Sequence, residues 1–107
     1  MSLDVTTTRD ADGVQVALTG EFDISEAPKV ERELRAIEQE DPARIVIDLR
    51  GLSFMDSSGL RIIVSAHQRL ATEGRRLYLI PGPAPIQRIF TVTRLDERLD
   101  FMEAPAG

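Results

Sequence analysis

The stretch that decides the fold is residues 45–59, which read IVIDLRGLSFMDSSG. Its beginning, Ile45–Leu49, is almost continuously apolar, which is typical of a strand buried on both faces in a parallel sheet. Asp48 interrupts the run and must find hydrogen-bond partners if it is buried. The stretch ends in small polar residues, which favour the turn and N-cap between a strand and a helix. We therefore predict a central strand followed at once by a helix.

Two further strands are predicted before this stretch. Leu3–Thr8 is rich in threonine, which suits an edge strand. Apolar and polar residues alternate over residues 14–19, which indicates a second strand with one exposed face. Asp12-Gly13 lies between them and is a strong signal for a β-hairpin. We expect Gly20–Asp23 to end the second strand.

An amphipathic helix is predicted next, ending at about Glu40. Ser25 is its expected N-cap, and Pro28 falls in the first turn, where a missing N–H costs little. The apolar residues recur at spacings of three and four, and they are expected to face the core. They are Ile24, Ala27, Val30, Leu34 and Ile37.

Three more elements and a tail follow residue 59. A second helix ends at Glu73-Gly74, and its expected inner side is Leu60, Ile63, Val64, His67, Leu70 and Ala71. A strand at 77–80, a short helix at 84–92 and a last strand at 99–102 complete the domain, before a tail at 104–107. The element order is ββαβαβαβ. It predicts an α/β fold: a mixed four- to five-stranded sheet with helices mainly on one face.

The composition indicates one small acidic domain. The chain has 107 residues and a formal net charge of −5. We predict a single domain over residues 1–107, with an ordered core of about 3–103. Acidic charge disfavours direct nucleic-acid binding, which rewards clustered basic side chains. We also predict a monomer, because no spare apolar face is evident.

The absence of cysteine excludes disulfides and cysteine-bound metals and fits a reducing compartment. The N-terminus has no basic segment followed by an apolar one, so it does not resemble a secretory signal. The composition also excludes a membrane span. We therefore predict a cytoplasmic protein that does not contact membranes.

Motifs for catalysis are missing. The sequence contains no P-loop, no Gly-x-Gly-x-x-Gly and no Gly-x-Ser-x-Gly. His67 is the only histidine, so a multi-histidine metal site is excluded. It lies about ten residues along a helix from the serines, or about 15 Å, which is too far for a general base. We predict no enzyme, no metal and no cofactor; Ser57 as a nucleophile is the least favoured alternative.

Asp56-Ser57-Ser58-Gly59 has two interpretations. In the first, these residues only form the joint between strand and helix, which needs turn and capping residues. In the second, a hydroxyl at the helix N-terminus carries a phosphate, because free N–H groups and the positive end of the helix dipole stabilise an anion. Phosphorylation would then change the surface charge without breaking the helix.

Residues 45–60 also resemble the signature of the STAS domain, and specifically bacterial anti-sigma factor antagonists of the sporulation and general-stress type. LTGEFD at 18–23, Ala27-Pro28 and IQRIFTVT at 86–93 are similar to other parts of that family. The resemblance covers nearly the whole chain, and the predicted element order is that of the family.

The resemblance implies a protein that binds an anti-sigma factor and thereby frees the sigma factor. The anti-sigma factor of this family is also a serine kinase of the histidine-kinase-like ATPase fold, which phosphorylates the antagonist and ends the binding. A serine phosphatase resets the cycle. The implied phosphorylation site is Ser57, with Ser58 as second choice. The expected partner interface consists of Asp23, Asp56, Ser57, Ser58, Gly59 and Arg61.

Two positions depart from the family pattern. Arg61 stands where many members have glycine, and it is open to three roles: pairing with a phosphate, tuning partner choice or covering the exposed side of the helix. Arg94 replaces a glycine near the end of the domain and is expected to alter only a loop. An alternative function also stays open, in which this STAS module serves another signalling complex or a transporter regulator.

Overall fold

The structure is a computed structural model that describes residues 2–104. Within that range the strands are β1 (Leu3–Asp10), β2 (Gly13–Phe22), β3 (Arg44–Met55), β4 (Arg76–Ile80) and β5 (Asp100–Phe101). The α-helices are α1 (Ala27–Gln39), α2 (Ser57–Thr72) and α3 (Ala84–Val92), and a 3-10 turn at Leu95–Glu97 precedes β5. The predicted order ββαβαβαβ is confirmed. Residues 105–107 of the predicted tail lie outside the described residues.

The strands form one sheet in chain order, β1-β2-β3-β4-β5. β1 and β2 are antiparallel through the predicted hairpin, where Asp10 pairs with Gly13. The other neighbours are parallel. Gly13 has φ +144°, a conformation that favours glycine, so the Asp-Gly signal reflects a backbone requirement of this turn.

The core lies on one face of the sheet. Alternate residues of the central strands, such as Val16, Ile47 and Leu79, belong to one buried cluster with residues from all three helices. The helices bring their apolar stripes to it, for example Leu34 of α1 and Ile63 of α2. This arrangement confirms helices mainly on one face, as the 3.6-residue and two-residue periods predicted.

Asp48 is buried on the sheet face opposite that cluster, and Arg50 donates hydrogen bonds to its carboxylate. The Arg50 guanidinium lies 2.8 Å from Asp48 Oδ2, and the Arg50 backbone N–H donates to Asp48 Oδ1 at 3.0 Å. The Arg50 side chain is the main cause that lowers the pKa of Asp48. The expected hydrogen-bond partners of this carboxylate are therefore supplied two residues along its own strand.

β3 is longer than the sequence predicted, because it continues past Leu49 to Met55. β2 ends at Phe22, within the Gly20–Asp23 segment that was predicted to end it. The two strands pair along this extension, with register shifts between Ala17 and Thr19 and between Gly20 and Glu21. The paired ends place the loop after β2 directly beside the start of α2.

Some expected core positions are exposed. Ile24 precedes α1 and is 73% exposed, so its predicted inward orientation is wrong. Ala71 is exposed near the end of α2, while Val64 and His67 are half-buried. The helical period was extended too far at Ile24 and at Ala71, whereas Val64 and His67 lie within α2 beside its buried residues.

Candidate functional site at the carboxyl edge

The predicted site residues lie at what we call the carboxyl edge, formed by residues 22–28 and 55–62 where β2 and β3 end. Asp56 is the N-cap of α2: its Oδ1 accepts hydrogen bonds from the backbone N–H groups of Ser58 at 2.9 Å and Gly59 at 3.3 Å. This is the bonding that an N-cap carboxylate is expected to provide. The predicted capping role of the Asp-Ser-Ser-Gly joint is thus confirmed, and Asp56 fills it.

Asp23 organises the other loop of the carboxyl edge. Its Oδ1 accepts hydrogen bonds from the Ser25 hydroxyl at 2.6 Å, the Ser25 backbone N–H at 3.0 Å and the Glu26 backbone N–H at 3.1 Å. These bonds, led by the Ser25 hydroxyl, hold the pKa of Asp23 below its ordinary value. The prediction that Ser25 is the N-cap of α1 is therefore wrong: Glu26 holds that position without a side-chain bond, and Ser25 donates to Asp23.

Asp56 also ties the two loops together. Its Oδ2 accepts a hydrogen bond from the backbone N–H of Ile24 at 3.2 Å, and its backbone N–H donates to the carbonyl oxygen of Phe22 at 3.3 Å. Asp56 thus fixes the backbone on both sides of Ser57, and Asp23 fixes the loop that follows β2. Their hydrogen-bonding capacity is largely used within the fold, and direct contact with a partner stays a prediction for both.

Gly59 is needed for the close approach of α2 to β2. A Cβ at this position would lie 2.9 Å from Phe22 Cγ and 3.0 Å from the Phe22 carbonyl oxygen. Gly59 is buried and Phe22 is fully buried. The close packing against Phe22 explains why residue 59 is glycine. The expected place of Gly59 in a partner interface stays a prediction.

Ser57 is the first residue of α2 and is exposed, whereas Ser58 is half-buried. Ser57 Oγ has no hydrogen-bond partner among the described residues. An exposed hydroxyl held at a helix N-terminus is accessible to an enzyme that modifies it, and a new anion there is compatible with the helix dipole. The geometry favours Ser57 over Ser58 as a modification site.

An open groove beside these serines was not predicted from the sequence. It lies between the starts of α1 and α2 and is lined by Ile24, Ala27, Pro28, Glu31, Ser58, Arg61 and Ile62. Ile24 supplies its most exposed apolar side chain, and Arg61 its basic one. A signal that could have identified Ile24 is its place between Asp23 and Pro28, before the helix begins.

The predicted separation of His67 from the serines is confirmed. α2 is continuous from Ser57 to Thr72, so ten residues at 1.5 Å each separate Ser57 and His67 by about 15 Å along the axis. His67 Nε2 instead lies 3.2 Å from Asp100 Oδ2. Across residues 2–104, no three potential metal-ligating side chains cluster together. No helix in that range is long and apolar enough to cross a membrane.

The profile of the STAS domain matches residues 2–105. The chain belongs to the STAS domain family. Among curated relatives, this STAS chain is 29% identical to the anti-sigma-B factor antagonist of Staphylococcus aureus strain NCTC 8325 over 103 residues, which cover 96% of this chain and 95% of that protein. The protein of the same name from Staphylococcus epidermidis is also 29% identical over 103 residues, with the same coverage.

Solved structures share this STAS fold. An anti-sigma factor antagonist from Mycobacterium paratuberculosis superposes with a TM-score of 0.87 at 25% identity, covering 96% of this chain and 87% of that one. The anti-sigma factor antagonist SpoIIAA, in its unphosphorylated form, superposes with a TM-score of 0.75 at 22% identity, covering 95% and 90%. The phosphorylated form of SpoIIAA, from Bacillus, gives 0.76 at 23% identity, covering 95% and 92%. The expected fold is therefore confirmed.

Proposed function

We propose that this protein is an anti-sigma factor antagonist controlled by phosphorylation of Ser57. In the unphosphorylated state it binds an anti-sigma factor that is also a serine kinase, and the sigma factor is released. The kinase then phosphorylates Ser57, the complex separates, and a serine phosphatase restores the binding form. The observation that carries the proposal is the exposed Ser57 hydroxyl, held at the start of α2 by the Asp56 cap.

The relatives support the same function. The curated relatives from two Staphylococcus species are named anti-sigma-B factor antagonists and match nearly end to end. SpoIIAA, which shares the fold, exists in unphosphorylated and phosphorylated forms. The fold is therefore compatible with carrying a phosphate.

The charges at the carboxyl edge explain how a phosphate would end binding. A phosphoserine at residue 57 adds about −1.5 to −2 charges next to Asp56 and near Asp23. Bringing this cluster of negative charge into a desolvated interface is costly. A loss of about 3–4 kcal/mol weakens binding several-hundred-fold, because each 1.4 kcal/mol is a factor of ten. The acidic chain also suits a partner with basic side chains around its ATP site.

The groove at the carboxyl edge provides an apolar anchor for this partner. Ile24 is 73% exposed although its backbone N–H is fixed by Asp56. An exposed apolar side chain gains binding free energy by burial, and a backbone that is already fixed loses little entropy on association. We place the partner over Ile24, Ser57 and Arg61, in the cytoplasm, where ATP supplies the phosphate.

Phosphorylation is tested with purified chain, ATP and the cognate anti-sigma kinase, followed by mass spectrometry. The expected result is a single phosphate on Ser57, present in Ser58→Ala and absent in Ser57→Ala. Ser57→Ala should still bind the kinase. A phosphate on another residue would overturn the proposal. No phosphorylation by any anti-sigma kinase of the source organism would also overturn it and favour a STAS module of another signalling complex or transporter regulator.

The same hydroxyl provides a binding test. Ser57→Asp should bind the anti-sigma kinase at least tenfold more weakly than Ser57→Ala by isothermal titration calorimetry. Its melting temperature should equal or exceed that of Ser57→Ala, because an acidic side chain in the first turn of a helix is favourable. A large loss of melting temperature in Ser57→Asp would instead indicate that residue 57 has only a structural role.

A further inference from the structure

Arg61 lies one helical turn from Ser57, and its guanidinium takes part in no ion pair in the part of the chain that the structure describes. Within residues 2–104, the recorded ion pairs involve Arg9, Arg50, Arg69 and Arg75, together with His67. Arg61 is exposed and lines the groove that also contains Ser58. Its charge is therefore available to an anion that arrives after folding.

The helix places Arg61 over the phosphorylation site. Ser57 and Arg61 are four residues apart in α2, so their Cβ atoms lie about 5–6 Å apart on the same side of the helix. Long helical side chains lean toward the N-terminus, which directs Arg61 back over the first turn. An acidic group four residues before a basic one is also the more favourable order for such a pair.

Within residues 2–104, the carboxylates around this site form no ion pair with Arg61. Asp23 and Asp56 accept hydrogen bonds from backbone N–H groups and the Ser25 hydroxyl. Glu31 of α1 lines the same groove, but within residues 2–104 it makes no ion pair with Arg61. A phosphate on Ser57 would bring more charge than any of these carboxylates and accept bidentate hydrogen bonds from a guanidinium.

We propose that Arg61 is the internal counter-ion of phosphorylated Ser57. The inference rests on the proposed phosphorylation and adds a second effect to it. In the unphosphorylated protein, Arg61 is free to contact the partner in the groove. In the phosphorylated protein, it turns to the phosphate and is withdrawn from that groove. One modification thus adds an anion to the carboxyl edge and removes a free cation from it.

The test installs phosphoserine at position 57 during protein synthesis, so that no kinase is needed. The second pKa of the phosphate is then measured by ³¹P NMR titration. A nearby cation favours the dianion, so Arg61→Ala should raise this pKa by roughly 0.15–0.4. Arg61→Lys should raise it less, because a lysine keeps the charge and loses the bidentate geometry.

The matched control is Arg76→Ala. Arg76 is also exposed and without a recorded ion pair, but it begins β4 at the opposite end of the parallel strands. Its removal should leave the phosphate pKa unchanged. An Arg61→Ala value equal to that of the unsubstituted phosphoprotein would overturn the counter-ion proposal and leave the function untouched. The proposed function has its own test, the kinase assay followed by mass spectrometry. Failure of the kinase to modify Ser57 in that assay would overturn the proposed function.

Discussion

The two ends of the parallel strands use charged side chains differently. At the carboxyl edge, Asp23 and Asp56 accept hydrogen bonds from neutral donors, mostly backbone N–H groups. The opposite end, which we call the amino edge, consists of residues 38–44 and 69–76 together with Arg9. There the carboxylates pair with arginines: Arg9 with Glu40, Arg69 with Glu38, and Arg75 with Asp41 and Glu73.

We interpret the amino edge as the end that helps to hold the fold and the carboxyl edge as the proposed binding end. Ion pairs at the amino edge join elements that are distant in sequence, such as β1 to α1 and α2 to α1. At the carboxyl edge, hydrogen bonds from backbone N–H groups to Asp23 and Asp56 fix the loops. Ser57, Ile24 and Arg61 stay exposed. A surface with a fixed backbone and unengaged side chains is preorganised for a partner.

The largest stability effect is expected from Gly59→Ala at the carboxyl edge. The new methyl group would meet the ring and carbonyl oxygen of fully buried Phe22 at 2.9–3.0 Å, and neither can move freely. Overpacking of this kind costs about 1–3 kcal/mol. We expect urea denaturation to give a free energy of unfolding that is about 2 kcal/mol lower than for the unsubstituted chain.

Gly74→Ala is the control at the amino edge. Gly74 has φ +73°, but nothing lies within 4 Å of a Cβ placed there. This substitution should cost only the backbone strain, about 1 kcal/mol. If Gly74→Ala lowers the free energy of unfolding as much as Gly59→Ala does, the close packing of Gly59 against Phe22 is not the cause of the larger loss expected at the carboxyl edge.

The sequence predicted the elements of the fold well because their signals are local. The two-residue alternation of β2 and the helical periods of α1 and α2 identified these elements and their core-facing residues, including Leu34 and Ile63. The capping role of the 56–59 joint was likewise predictable from its residue types. These features depend on which face of one element is apolar, and a single sequence contains that information.

The details of the carboxyl edge could not be predicted, because they depend on contacts between distant segments. β3 extends past Leu49 along β2, and its last residue, Met55, pairs with Phe22. Ser25 was predicted to be the N-cap of α1, but its hydroxyl donates a hydrogen bond to Asp23 instead. Ile24 fits the helical period, but Asp56, 32 residues away, holds its backbone outside the helix.

At acidic pH, the stability contributed by Asp23 and by Glu40 should respond differently to salt. Both carboxyl groups have a lowered pKa in the folded protein, Asp23 chiefly through the Ser25 hydroxyl and Glu40 chiefly through Arg9. A lowered folded pKa means that the unfolded chain binds the proton more readily. The stabilisation is therefore complete above the unfolded pKa of about 4 and is lost as the pH falls through the folded pKa.

Urea denaturation between pH 6 and pH 2.5, at 0.05 M and 1 M NaCl, separates the two cases. Asp23→Asn should make the free energy of unfolding fall less steeply with acid, and by the same amount at both salt concentrations. The groups that donate hydrogen bonds to Asp23 are neutral, so salt does not screen them. Glu40→Gln should reduce it at 0.05 M and have little effect at 1 M, because salt screens an exposed pair. The same salt response in both variants would contradict the contrast between the two edges.

The smallest effect is expected where two helices end in a left-handed residue that is not glycine. Asp41 follows α1 with φ +62°, and Arg94 follows α3 with φ +60°. Arg94→Gly removes this strain and breaks no recorded ion pair, so calorimetric unfolding should show a gain of up to about 1 kcal/mol. Asp41→Gly also gives up the ion pair with Arg75 at the amino edge, and aspartate tolerates the left-handed region better than arginine. Its gain should therefore be smaller, and a larger gain than that of Arg94→Gly would show that the ion pairs of the amino edge contribute little to holding the fold.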